Sequence, residues 1–384
     1  MRERFLVFGA PQIGEEEIAE VVATLRSGWI GSGPKVAAFE RQFAEYRGAE
    51  RAIAVNSCTA ALHLSLLSLG IGPGDEVITT PMTFCATANA ILHSGATPVF
   101  ADCDPRTMNL DPAAVLAAIT PRTRAILPVH FAGRPCEMNA LMAIAAEHGL
   151  RVVEDCAHAI EAQYEGRAMG TFGDLGCFSF YVTKNIVTAE GGMVLTADPE
   201  LEAHVKTCAL HGMSKDAWKR FADEGYQHYE VVHAGFKYNM TDLQASLGIH
   251  QLRRVDASLA RREAIWSRYD AAFADLPCTT PPPAAEGTVH ARHLYTLRLD
   301  LDALSVGRDF VLDALAKEGI GAGVHYLALT THRFYQQFTD GASFPAAETI
   351  SERTLSLPLG PGLSDDDVDD VIRAVQRVLT WYAA

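Results

Sequence analysis

Positive charge is what this chain has least of. Its 384 residues carry 32 Lys and Arg against 47 Asp and Glu, a net charge of −15. Such a surface repels nucleic acid and anionic membranes, so neither is an expected partner, and an anionic substrate would need a local basic site. Paired-cysteine motifs are lacking too. The eight cysteines, at 58, 85, 103, 136, 156, 177, 208 and 278, are scattered with no C-x-x-C. That argues against a disulfide framework and reads as small apolar core filling. His211, His233 and the other histidines lack metal-ligand spacing, and no metal is expected. No apolar run approaches transmembrane length, and the start Met1–Phe5 lacks a long apolar core, so the protein reads as cytoplasmic. What remains is 48% hydrophobic and 21% charged, over a length too great for one small core.

From about 50 to 155, short Val/Ile-rich runs alternate with amphipathic stretches. Strands are predicted at Ala52–Asn56, Glu76–Thr80, Pro98–Ala101, Ala125–Val129 and Arg151–Glu154, and helices at Thr59–Leu69, Phe84–His93, Asp111–Ile119 and Glu137–His148. This alternation means β-α-β units and a parallel sheet buried on both faces. Further strands near Gly176–Tyr181 and Gly192–Thr196 bring the sheet to about seven. Asp242–Phe273, rich in Leu, Ala and Arg, reads as one long helix bridging to a second unit. The Pro281–Gly287 stretch is a loop or linker. A smaller α+β segment follows, with strands His293–Leu299 and Gly323–Tyr326 and helices Asp309–Glu318 and Asp365–Leu379.

In an open α/β sheet, ligands sit outside the carboxyl ends of the strands. Lys184 ends the aromatic run Cys177–Asn185, ahead of Glu190-Gly191-Gly192. A desolvated lysine there has a lowered pKa and can form a Schiff base with a carbonyl; the plain alternative is a surface lysine. Ser57-Cys58-Thr59-Ala60 opens a helix and can cradle an anion, or Ser57 and Thr59 simply cap it. Asp155 ends a buried strand and needs a cationic partner, for which a protonated pyridine nitrogen would serve. Phe84 follows another strand and could cover an aromatic ring, or be a core aromatic. His158, three residues after Asp155, could contact a ring hydroxyl or a substrate. Phosphate cradle, stacking aromatic, strand-end aspartate and strand-end lysine together are the contacts pyridoxal phosphate requires.

At this point the chain resembles the pyridoxal-phosphate-dependent nucleotide-sugar aminotransferases, fold-type-I members of the aspartate aminotransferase superfamily. The resemblance rests on an ordered set of motifs: Gly28-Trp29-Ile30-Gly31-Ser32-Gly33-Pro34, Gly72–Ile78, Ile119–Thr123, Glu154–His158, Phe178–Phe180, Lys184-Asn185, Glu190–Gly192, Gly235–Asp242, His325-Tyr326 and Leu355–Leu359. It implies a large domain over 1–250, with an N-terminal arm and a mostly parallel seven-stranded sheet flanked by helices, and a smaller C-terminal α+β domain over 251–384. It implies Lys184 as the Schiff-base lysine, Asp155 as the pyridinium partner, Phe84 as the stacking aromatic, and Thr59, Ala60 and Ser179 as phosphate contacts. His158 matches a position near the ring oxygen and the sugar. Trp29, His325 and Tyr326 match the sugar pocket. The segment holding Lys237 and Asn239 matches one that reaches the partner subunit's cofactor phosphate, so a homodimer with shared sites is implied. Lys237 replaces the common Asn, as in enzymes making UDP-4-amino-4-deoxy-L-arabinose; Cys58 also departs from the common pattern.

The activity implied is transfer of an amino group from L-glutamate, yielding 2-oxoglutarate, to a nucleotide-linked keto-sugar. C4 is the expected position and C3 the alternative. Sugar dehydratases resembling this family replace the lysine with histidine, and Lys184 argues against that reading. A nicotinamide oxidoreductase is disfavoured because Gly70-Ile71-Gly72-Pro73-Gly74 precedes a strand instead of following one.

Overall fold

The computed structural model describes residues 4–213 and 229–384. Seven strands form the central sheet: β1 Arg51–Val55, β2 Glu76–Thr79, β3 Thr97–Phe100, β4 Thr123–Leu127, β5 Arg151–Asp155, β6 Leu175–Ser179 and β7 Gly192–Thr196. Their order is β1-β7-β6-β5-β4-β2-β3. Only β7 runs against its neighbours, β1 and β6; the other pairs are parallel. Successive residues of each strand feed opposite faces, as the pleat requires. Ile78, Ile126 and Val152 enter one core and Val77, Ala125 and Val153 the other. That double burial explains why these strands read as continuous apolar runs.

The smaller sheet is antiparallel: β8 Cys278–Thr279, β9 Tyr295–Leu299 and β10 Thr354–Leu357. It has its own core, shared with Ile265, Trp266, Tyr269 and Phe273 of one helix and Val368 to Leu379 of the last.

Three expectations change here. Asp242–Phe273 is not one helix but two, Asp242–Arg253 and Val255–Phe273, broken at Arg254. Nothing in local propensity asks for the break. Leu252 and Val255 still pack on the large core, whereas Ile265 onward packs on the small one. Arg254 is held by Glu17 at 2.6 Å and the Gln12 carbonyl, so tertiary contacts override propensity. Gly323–Tyr326 is not a strand either. A single bridge ties Gly323 to Ser356, and the chain then leaves the sheet towards the large unit. β9 starts only at Tyr295, because the His293 amide bonds to the Ala132 carbonyl instead of a strand partner. The Thr354–Leu357 strand and the helices Glu15–Ser27, Pro34–Arg47 and Pro199–Ala209 were not anticipated.

Candidate active site

A cavity of about 590 Å³ opens at the carboxyl ends of β1, β5 and β6. It gathers Thr59, Phe84, Asp155, His158, Ser179, Lys184, His325 and Tyr326, all singled out from sequence. Ala60, Trp29, Lys237 and Asn239 are not among its lining residues. Ala60 is buried one step behind, its N–H given to the Ser57 hydroxyl at 3.1 Å. The Lys237 carbonyl bonds to Asn56, and the Asn239 amide bonds to Ser32. Trp29 is exposed on the outer surface.

Each wall of the cavity has a local cause. Ser57 caps the helix Cys58–Ser68, as the plainer reading of that turn expects. The N–H groups of Cys58 and Thr59, at the first positions of the helix, have no intrahelical acceptor and offer an anion site reinforced by the helix dipole. Gly192 lets β7 lie against this turn. A Cβ there would sit 2.5 Å from the Ser57 carbonyl carbon and 2.8 Å from the Cys58 nitrogen, both backbone atoms. Gly192→Ala should therefore cost about 1–3 kcal/mol by overpacking and weaken cofactor retention together. Denaturant unfolding and equilibrium dialysis of the same variant check this. Phe84, at 58% exposure, is no core aromatic; its ring stands 6.1 Å from that of Tyr326 at the cavity.

Asp155 is buried, and burial raises its carboxyl pKa despite hydrogen bonds that oppose this. Its oxygens accept from the Ala157 N–H at 3.1 Å and the Thr87 hydroxyl at 2.8 Å. Thr87 gives its proton to Asp155, so it must accept from Thr83, 2.8 Å away. Among the described residues no cation pairs with Asp155. Lys184 is lowered to about 8 by burial, against the opposing pull of Cys58 and Asp155. At pH 7 roughly a tenth of such amines are neutral, against roughly one in three thousand for an ordinary lysine.

His158 accepts the Ala132 N–H at Nδ1, so its proton is on Nε2, facing the Tyr326 oxygen 3.1 Å away. Burial lowers its pKa well below the ordinary value, and it stays neutral. His293, not singled out from sequence, packs against it at a tilt of 31°, with ring centroids 4.4 Å apart. Its one signal was its place at the head of a predicted strand. Thr83 and Thr87 were also missed, although they flank Phe84, Thr83 just ahead of the helix and Thr87 in its first turn.

Next to Asp155, Glu154 points to the other face of the sheet. Its oxygens accept N–H groups of Gly170, Phe172 and Gly173, and His130 stands 3.1 Å away. His130 takes the Cys136 N–H at Nδ1. His130, Glu154 and Cys156 lie close enough for a metal, yet the imidazole nitrogens and the carboxylate are committed to these bonds. Cysteines 103, 136, 156, 177 and 208 are buried, and all eight are unpaired. Cys58 is not mere filling, because it lines the cavity.

A buried carboxylate lacking a cation, a helix start with the Cys58 and Thr59 N–H groups free, an exposed aromatic and a buried lysine lowered to about 8 suit one cofactor. These groups on this sheet define a fold-type-I aminotransferase that uses pyridoxal phosphate. The chain belongs to the DegT/DnrJ/EryC1/StrS aminotransferase family, whose model matches residues 11–376. It is 52% identical over 381 residues to the spore coat polysaccharide biosynthesis protein SpsC of Bacillus subtilis (strain 168), covering 98% of each chain. It matches the aminotransferase TlmJ from Streptoalloteichus hindustanus at 37% identity and TM-score 0.90, over 98% of this chain and 99% of that one. It also matches Spr1654 of Streptococcus pneumoniae, assigned as a sugar aminotransferase and solved in its PMP form. There the identity is 36% and the TM-score 0.91, over 98% and 99% of the two chains. No helix among the described residues is long and apolar enough to cross a membrane.

Proposed function

We propose that this aminotransferase moves an amino group from L-glutamate to C4 of a nucleotide-linked keto-sugar, releasing 2-oxoglutarate. Transfer to C3 is the alternative. The observation that carries this is the meeting of Lys184 and Asp155 in one cavity, of a size that suits a small-molecule site. Pyridoxal phosphate supplies an aldehyde that exchanges with amines and a ring that draws electrons from the adjoining carbon. With the cofactor bound, Asp155 would keep the ring nitrogen cationic, the Cys58 and Thr59 N–H groups and the Ser179 hydroxyl would hold the phosphate, and Phe84 would cover the ring. Lys184 Nζ would hold the aldehyde carbon and, once free, could accept and give back a proton at that nitrogen, for which a pKa of about 8 suits it. His158 and Tyr326 orient the ring oxygen and the sugar.

The wording of the motifs supports likeness to the UDP-4-amino-4-deoxy-L-arabinose enzymes, and the name of the related SpsC points to polysaccharide precursors. We further propose a homodimer in which Trp29, Lys237 and Asn239, off this chain's cavity, complete the partner's site. Apolar side chains exposed nearby, Val22, Leu25 and Ile30, support that. The domain division is proposed at 1–250 and 251–384, with the change of core along the Val255–Phe273 helix. Eight unpaired cysteines favour a reducing compartment, hence the cytoplasm. The test is a panel of 3-keto and 4-keto nucleotide sugars with L-glutamate. 2-Oxoglutarate should form with a 4-keto member, the amine being located by NMR. No 2-oxoglutarate with any member overturns the proposal, and amine at C3 selects the alternative.

A further inference from the structure

A buried ion pair outside the cavity reaches into it. Arg262, on the helix Val255–Phe273, bonds through Nη2 to Glu161 Oε1, both side chains being sealed from solvent. Glu161 Oε2 accepts from Asn185 Nδ2 at 2.7 Å, and the same Nδ2 gives its other proton to the Ala291 carbonyl at 3.1 Å. With both amide protons placed, Asn185 Oδ1 is an acceptor. It lies 2.9 Å from His293 Nδ1, which must therefore carry the proton. The proton position on His293 is fixed by this chain of bonds: Nε2 is left with a lone pair and has no protein partner among the described residues. His293 lines the cavity, and Asn185 is the residue after Lys184.

We propose that Glu161, held by Arg262, is a positioning residue. Through Asn185 it fixes His293 with the proton on Nδ1, so that Nε2 presents a proton-accepting lone pair to the cavity beside Lys184. The consequence concerns polarity. His158 turns its N–H to Tyr326, whereas His293 offers an acceptor to a protonated amine. Loss of the Glu161–Asn185 bond frees His293 to put its proton on Nε2, and the acceptor becomes a donor that opposes the Lys184 ammonium. The inference rests on Lys184 being the reactive amine. Besides His293, the titratable groups around that amine are Cys58, Asp155, His158, His325 and Tyr326, with Tyr181 and Glu190 at the rim.

The test uses protein loaded with pyridoxamine phosphate, in which the Lys184 amine is free. Its trace acetylation by acetic anhydride is followed against pH by peptide mass spectrometry. Asn185→Leu leaves the Glu161–Arg262 charges in place and cuts the link; Glu161→Gln weakens it from the far side, leaving one acceptor oxygen for the two donors Arg262 and Asn185. Each should lower the Lys184 midpoint by about one pH unit, a tenfold change in proton affinity. Both shifts should vanish in a His293→Phe background, which keeps an aromatic ring against His158. Equal shifts in the two backgrounds, or none with His293 present, overturn the proposal. Asn185→Leu keeps the test decisive should Glu161→Gln fail to fold around an unpaired arginine. In wild-type protein loaded with pyridoxal phosphate, borohydride reduction separates the two readings. An adduct away from Lys184 sinks the assignment of the reactive amine, while an adduct at Lys184 with no coupling to His293 sinks this inference alone.

Discussion

Lys184→Ala will lower kcat by about 10³-fold or more and abolish covalent retention of the cofactor after borohydride reduction. The amine is buried, and burial brings its pKa to about 8. Acetyl-trapped or reduced wild-type protein will map to this residue by peptide mass spectrometry. The same burial has a cost that the variant removes. An unfolded chain binds more protons than the folded one between about 8 and the ordinary 10.5, so stability rises with pH through that window, and the penalty is fully present below it. Cofactor-free Lys184→Ala should therefore unfold at no lower temperature than cofactor-free wild type at pH 7. Full turnover in the variant would remove Lys184 from the chemistry.

Asp155→Asn will lower kcat by about 10²-fold or more while leaving the fold intact. The substitution changes charge and hardly shape. Oδ1 can still accept the Ala157 N–H, and the Thr83–Thr87 hydroxyls can turn their protons the other way to accept from the new amide. What would be lost, on the proposed role of Asp155, is the charge that holds a ring nitrogen cationic. Burial raises the Asp155 pKa. The folded protein thus holds this proton where the unfolded chain has released it, and stability falls as pH rises from the ordinary value of 3.8 through the raised one. Above that window, cofactor-free Asp155→Asn should be at least as stable as wild type by calorimetry, with activity lost. A variant that turns over normally would refute the pyridinium role; one that loses stability and activity together would make the residue structural.

Much of the site was legible because it obeys a rule of topology. Lys184 and Asp155 follow buried apolar strands, and ligands collect at that end of an open sheet. Asn185 belongs to the Lys184-Asn185 motif, yet its partners are invisible in the sequence, since Glu161 and Ala291 are joined to it across 24 and 106 residues. His293, Thr87 and Glu161 carry no local pattern that separates them from ordinary core and helix residues. The break at Arg254 and the missing Gly323–Tyr326 strand have the same cause. Local preference favoured regular structure, and contacts between distant segments decided otherwise.

Glu154 and Asp155 are chemically near-identical neighbours with opposite duties, and only the pleat tells them apart. Slide β5 by one position and the anchoring carboxylate would be delivered to the ligand while its twin vanished beneath the sheet. The amides of Gly170, Phe172 and Gly173 act as a ratchet pawl against that slippage. Loosening this clasp, far from any bound molecule, would mis-set the reaction without touching a single reacting group.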